Sequence, residues 1–283
     1  MASEEAPPAG KTELGTRAVS AAILAPVALA AELWGGLPFA ALVVLVAAIG
    51  FWEWTGLTGA RDPGWERLLG AFCLVLALLA LQVWSVAVGL ALIVVPAALA
   101  LVAGIAQKAL RSVGLGLLYL GIPCAAVILL RQAEPFGWAA VLYVFFVVWA
   151  TDIAAYFGGR SLGGPKLWPR VSPKKTWSGA LSGLVAAIAA GGAAAGLTMG
   201  GNVRAGLVLA VPLSVAAQAG DLLESAVKRR FHVKDAGHII PGHGGVLDRV
   251  DGLLGAAALA WLVALVGFGG DILTLPGAGA VAP

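Results

Sequence analysis

Nine apolar runs, most of them close to 20 residues long, divide this 283-residue chain. As a helix rising 1.5 Å per residue, a run of that length crosses the roughly 30 Å hydrocarbon layer of a bilayer. Inside that layer backbone N–H and C=O groups find no water, so continuous apolar runs of this length are restricted to helices. The runs fall at about 18–34, 37–55, 68–83, 85–104, 112–131, 138–158, 178–199, 204–224 and 252–272. Composition agrees, with 60% hydrophobic and 12% charged residues, about half the charged share of a soluble domain. The expected fold is therefore an all-α polytopic membrane protein of about nine transmembrane helices. Its many Gly and Ala residues suit close helix contact in lipid.

Charge sets the expected orientation. With nine spans and the N-terminus on the cytoplasmic side, 16 of the 18 Lys and Arg residues fall in cytoplasmic segments, and only Arg131 and Arg204 fall outside. That is a strong positive-inside bias, and it places the C-terminus outside. The expected division is a disordered polar tail over 1–16, five helices over 17–135, a catalytic transmembrane region over 136–273 and a tail over 274–283. Two long cytoplasmic loops are expected, 159–177 and 225–251. Arg17 precedes the first run, and an Ala-Leu-Ala-Ala segment at 28–31 mimics a signal-peptide cleavage site. The region before it is long and as acidic as basic, so a retained helix is expected. No basic block with interleaved aromatics points to nucleic acid. Cys73 and Cys124 lie within apolar runs and read as small buried hydrophobes.

The ionisable groups gather in one place. The stretch 221–251 holds all three histidines, five carboxylates and five Lys/Arg residues. Leading into it, Ser214, Gln218, Asp221, Ser225 and Lys228 recur at helical spacing and form a polar stripe on one face, with Glu224 beside it. A carboxylate at membrane depth needs protein, water or a cation opposite it, or a salt bridge to Lys228 or Arg229 at the helix end. Further on, Pro241-Gly242-His243-Gly244-Gly245 leads to Asp248, Arg249 and Asp251. Glycines let backbone N–H groups approach an anion. Asp248 and Asp251 share one face of the next helix's first turn. There they can hold Mg²⁺, which prefers carboxylate oxygens and substrate phosphates, or Asp248 can simply cap the helix. His232, His238 and His243 lack the His-Glu-x-x-His order of a zinc protease; His243 is expected to touch a phosphate or the loop backbone.

Two further groups complete the polar set. Lys166, Arg170, Lys174 and Lys175 lie with Ser172 and Thr176 among glycines in 161–179, a cradle for a polyanion at the membrane surface. A loop that only sets topology or meets lipid headgroups would look similar. Asp152, with Tyr156 four residues on, stands near the end of its helix and either supports a metal site or pairs with a lysine. Glu53, between two tryptophans, has weaker context.

At these residues the chain resembles the phosphatidate cytidylyltransferases, also called CDP-diacylglycerol synthases. The signature reads here Ser225-Ala226-Val227-Lys228-Arg229, then Lys234-Asp235-Ala236-Gly237, then Ile240-Pro241-Gly242-His243-Gly244-Gly245-Val246-Leu247-Asp248-Arg249-Val250-Asp251. Asp152, Tyr156 and Phe157 and the run Ser172-Pro173-Lys174-Lys175-Thr176 match further blocks of the family. Ser178 departs from it, many members having Glu before the glycine. The resemblance covers about 149–251; the N-terminal half matches only in hydrophobicity and span number. It implies transfer of a cytidylyl group from CTP to phosphatidic acid, giving CDP-diacylglycerol and pyrophosphate. It also implies a cation centre of Mg²⁺, with a second cation allowed, on the acids Asp221 and Asp248, joined in the catalytic set by Asp251, Lys234, Arg249 and His243. Lys228, Arg229, Lys234 and Arg249 are expected to neutralise phosphates while His243, Gly244 and Gly245 shape the loop. Ser172, Lys174, Lys175 and Thr176, with Asp152 nearby, are expected to receive the lipid phosphate or the triphosphate.

Two alternatives are separable from this reading. A polyprenol or phytol kinase using CTP would release CDP rather than pyrophosphate. A secondary transporter would place its acids near the bilayer midplane within paired half-repeats, whereas these lie near span ends. The expected setting is a bacterial plasma membrane, with the site on the cytoplasmic side and bilayer lipid as neighbour. The small residues at 179–200 permit a helix contact within the chain or in a homodimer.

Overall fold

The computed structural model of the chain describes residues 11–59, 64–198, 202–237, 239 and 244–267. The described residues form nine helices: α1 Lys11–Trp34, α2 Gly36–Thr58, α3 Trp65–Val83, α4 Val86–Ala103, α5 Lys108–Gln132, α6 Gly137–Leu162, α7 Trp177–Thr198, α8 Val203–Arg230 and α9 Leu247–Gly267. Each coincides with one of the nine apolar runs. Eight are long and apolar enough to cross a membrane, and α1 adds a shorter apolar stretch, Ala22–Trp34. The expected all-α polytopic fold is what the chain adopts.

The differences lie at the helix ends and have local causes. α1 begins at Lys11, so residues 11–16, expected as disordered tail, are helical; residues 1–10 and the expected tail over 274–283 lie outside the described residues. α8 runs on to Arg230 instead of ending near 224. Its last turns gain a Glu224–Lys228 pair one turn apart and three cations, Lys228, Arg229 and Arg230, at the negative end of the helix dipole. α9 begins at Leu247 rather than 252, because Asp248 suits the positive end of a first turn. The expected loop 225–251 thus shrinks to 231–246. The loop 159–177 shortens too, and it holds an antiparallel hairpin, β1 Lys166–Trp168 with β2 Ser172–Thr176, paired Lys166 to Thr176 and Trp168 to Ser172.

α5 is the central post. About 78% of its apolar window is buried, against 22–44% for the other spans. α2, α3, α4, α6 and α9 pack around it, and α7 and α8 extend the bundle on the side of α6 and α9. With lipid as solvent there is no hydrophobic drive between helices, so close backbone approach through small residues carries the packing. Along α6 and α7, Gly179 and Gly183 stand where a Cβ would strike the carbonyls of Ala155 and Thr151. Along α7 and α8, Gly206 rests on the Gly191 carbonyl and Ala195. Polar bonds join α6 directly to α8: Tyr143 Oη donates to the Gly206 carbonyl, and Thr151 Oγ1 donates to Ser214 Oγ at 3.0 Å.

The two ends of the bundle differ. One gathers the C-termini of α2, α4, α6 and α8, the N-termini of α3, α5, α7 and α9, and the hairpin. Trp54 Nε1 donates to the Ser112 carbonyl there at 3.0 Å, tying α2 to α5, and Arg229 Nε donates to the Val171 carbonyl at 3.3 Å, tying α8 to the hairpin. The basic residues concentrate at this end, while Arg131 and Arg204 sit at the other. At that other end Glu32, fully buried, pairs with Arg131 Nε at 2.9 Å, fastening α1 to α5. Removing one partner of a buried pair strands the other charge. Arg131→Ala should therefore lower stability by about 3–5 kcal/mol, read as a fall in the unfolding midpoint of the detergent-purified protein. Glu32→Leu/Arg131→Leu should recover most of the loss.

Candidate active site

The site is built on the crossing of α8 and α9. Gly220 presses against the Asp251 carbonyl and the Cα of Gly252, and Gly255 presses against the Ala216 carbonyl; any side chain at Gly220 or Gly255 would collide with backbone. That approach puts Asp221 of α8 beside the first turns of α9, where Asp248 and Asp251 sit. Asp221 and Asp248, joined in the sequence by the resemblance, line one cleft with Asp251 in the structure. The polar stripe of α8 holds as well. Ser214 meets Thr151, Gln218 Nε2 donates to the Ala180 carbonyl at 3.4 Å, and Ser225 Oγ donates to Asp221 Oδ1 at 3.3 Å.

Asp248 has a divided task. Its Oδ2 accepts from the Gly245 N–H at 2.8 Å and the Ala236 N–H at 3.0 Å, which draws the glycine-rich segment over the start of α9. Its Oδ1 accepts from Lys228 Nζ at 2.5 Å, and the same ammonium pairs with buried Glu224. One oxygen thus gathers amides that precede the helix, and the other meets a lysine ammonium. Gly244 is in the left-handed region, with φ +82, and a Cβ there would stand 2.9 Å from Asp248 Oδ2. Gly244 and Gly245 make room for carboxylates as well as shaping the loop.

The hairpin closes the other side. Lys175 Nζ lies 2.5 Å from Asp221 Oδ2, so β2 is held to α8 by a charge pair. Thr176 is buried, and its Oγ1 accepts from the Gly179 N–H at 3.1 Å; it caps α7. Arg229, expected at a phosphate, donates to the Val171 and Val233 carbonyls and holds the hairpin turn to the end of α8.

Between these elements opens a polar cleft of about 810 Å³. Of the residues singled out in the sequence, Asp152, Lys174, Lys175, Thr176, Asp221, Lys228, Asp248, Arg249 and Asp251 line it. Ser172 stands at the far end of β2, opposite Trp168. Lys234 is exposed on the connection after α8, and His243 lies outside the described residues. An apolar groove of about 310 Å³ runs along α5, α8 and α9 past Leu118, Ile122, Leu223 and Leu254, and Asp251 borders both spaces. Among the described residues no three His, Cys, Asp or Glu side chains cluster as a metal site on their own. Asp221 and Asp248 instead offer one carboxylate each from neighbouring helices, and each already faces an ammonium at 2.5 Å. That donor set fits Mg²⁺, which is commonly held by one or two carboxylates together with substrate phosphates.

Four more residues line or support the cleft: Lys166, which the sequence placed in the cradle, Gln218 of the α8 stripe, Glu53, whose local context was weak, and Arg160, which the sequence did not single out. Lys166, Arg160 and Gln218 line the cleft. Arg160, which donates to Tyr156 Oη at 3.0 Å, follows Asp152 and Tyr156 at helical spacing, and Gln218 belongs to the α8 stripe; both signals were present in the sequence. Glu53 of α2 accepts from the Val246 N–H at 3.0 Å and the Leu247 N–H at 2.8 Å at the start of α9. No local pattern announces that contact.

Residues 15–266 match a family model described as the cytidylyltransferase family. A protein named phosphatidate cytidylyltransferase from Brucella suis is 43% identical over 262 residues, covering 89% of this chain and 93% of the relative. One of the same name from Brucella abortus (strain 9-941) is 42% identical over 274 residues, with 93% and 97% covered. A third, from Pseudomonas aeruginosa, is 37% identical over 272 residues, with 88% and 97% covered. A match over nearly the whole chain, the N-terminal helices included, makes this protein a member of the cytidylyltransferase family.

Proposed function

We infer that this protein is a phosphatidate cytidylyltransferase, joining CTP to phosphatidic acid to give CDP-diacylglycerol and pyrophosphate. One observation carries the reading. Asp221, Asp248 and Asp251 line a single cleft with the hairpin lysines, at one end of a bundle of membrane-length helices. The names of the relatives favour this reaction over the lipid kinase and the transporter. The basic end of the bundle would face the cytoplasm by the positive-inside rule, in a bacterial plasma membrane.

The chemistry follows from the charges. An anionic phosphatidate oxygen attacks the α-phosphorus of CTP. The bond from that phosphorus to the bridging oxygen breaks, and pyrophosphate leaves with the electron pair. The nucleophile is already anionic, so no side chain needs to remove a proton. What the reaction needs is alignment of two polyanions and neutralisation of the charge that builds on the leaving group. Lys166, Lys174, Lys175, Lys228, Arg160 and Arg249 supply six cationic groups around the cleft. Mg²⁺ on Asp221 and Oδ1 of Asp248 would add divalent charge at the phosphate oxygens. Acyl chains would lie in the apolar groove, with the phosphate reaching the cleft past Asp251.

Purified protein should release pyrophosphate only when CTP, phosphatidic acid and Mg²⁺ are all present. Asp248→Asn should lose at least about 100-fold of that rate while remaining folded. Appearance of CDP in place of pyrophosphate would mark the lipid kinase instead. The two neighbouring cations of α8 should also separate. Lys228→Ala should lower kcat/KM by about 100-fold or more, because it removes a cleft cation and strands Asp248 and Glu224. Arg229→Ala, whose guanidinium holds backbone carbonyls, should cost about tenfold or less.

A further inference from the structure

We propose that Glu53, on the second helix and in the half of the chain that carries no signature, is a positioning residue for the catalytic acid Asp248. α9 starts at Leu247, and the residue before it, Val246, has no side-chain acceptor with which to cap the helix. The first N–H groups of any helix lack intrahelical partners. Here two amides at the helix start are satisfied from far away: Glu53 Oε1 accepts from Val246 and Oε2 from Leu247. Both oxygens of one buried carboxylate are therefore spent on adjacent amides, a bidentate clamp with little freedom to rotate.

The clamp rests on a fixed base. Next to Glu53, Trp54 Nε1 donates to the Ser112 carbonyl at 3.0 Å, and the Arg67 guanidinium lies 3.5 Å over the Trp52 ring while donating to the Trp52 carbonyl. Thr58 joins Ser112 through their hydroxyls one turn on. On the other side the glycine-rich segment is shaped to the carboxylate. A Cβ at Gly245 would stand 2.6 Å from Glu53 Oε2, and one at Gly237 would come closer still to Oε1. These glycines admit the carboxylate rather than a ligand. Asp248 then bonds the Gly245 and Ala236 amides of the same segment with one oxygen and presents the other to the cleft. Glu53 fixes the backbone from which Asp248 projects, and so fixes where Oδ1 stands. An outer partner that orients a metal-binding carboxylate typically alters cation affinity by about 10–100-fold when removed.

The inference rests on the cation-assisted reading above, and its test separates the two. Wild-type and Glu53→Gln proteins, both shown folded by their unfolding midpoints, are compared by hydrogen exchange over residues 244–252, by Mn²⁺ titration without nucleotide and by steady-state kinetics. The side-chain amide introduced in place of the carboxylate would set a donor against a backbone donor. Exchange at Val246 and Leu247 should speed up about tenfold or more. The Mn²⁺ dissociation constant should rise at least about tenfold, and kcat should fall with the KM for phosphatidic acid unchanged. Glu53→Asp, which keeps the charge at shorter reach, should fall between, and it serves if the Glu53→Gln variant does not fold. Unchanged exchange, or faster exchange with unchanged Mn²⁺ affinity and kcat, overturns the positioning role. A wild-type protein that takes up no Mn²⁺ defeats the cation reading instead, and exchange and kcat then decide the role of Glu53.

Discussion

Everything at the site depends on how closely two backbones pass. α8 and α9 cross with Gly220, Gly252 and Gly255 between them, at a separation that excludes a side chain on Gly220 or Gly255. In lipid that approach gains dispersion contacts without any hydrophobic drive. It also decides the chemistry, since Asp221 and Asp251 belong to the same turns as these glycines. A wider crossing would leave each carboxylate on its own helix, near hydrocarbon and without a shared space. The tight crossing turns separately costly charges into neighbours that line one polar cleft.

Neighbouring carboxylates repel, and the structure shows what offsets this. Lys228 bridges Glu224 and Asp248, while Lys175 reaches from the hairpin to Asp221. These two ammonium groups stand where a polyanionic substrate would bring its own charge. Under the proposed reaction, a substrate arriving with a divalent cation would exchange partners within the cleft, phosphate for carboxylate on the lysines and metal for lysine on the acids. The cations come from both the helices and the hairpin, and Arg229 helps hold the hairpin to α8.

Much of this was legible in the sequence, because lipid imposes a one-dimensional rule. Apolar run length located all nine described helices, and the spacing of Ser214, Gln218, Asp221, Ser225 and Lys228 located the polar face of α8. What escaped was local or distant structure that no period encodes. The hairpin strands of three and five residues are too short to alternate, and Pro173 lies within one of them. The true ends of α8 and α9 depend on charges acting on helix dipoles beyond the apolar run. Arg229 sits in the signature beside Lys228, yet it serves backbone carbonyls. Glu53 is separated by 193 residues from the first amide it bonds.

That last separation gives the assembly an order in time. α2 emerges from the ribosome long before α9, at about 5–20 residues per second. Over the 193 residues between Glu53 and Val246 the delay is roughly 10–40 s. For that interval the Glu53 carboxylate is without the two amides that hold it in the finished fold. α2, α3 and α5 can settle against one another meanwhile, since their contacts close within the first half of the chain. The polar cleft cannot, because it needs α9. The early helices thus form a waiting cradle, and docking of α9 completes the bundle and the polar cleft in one event.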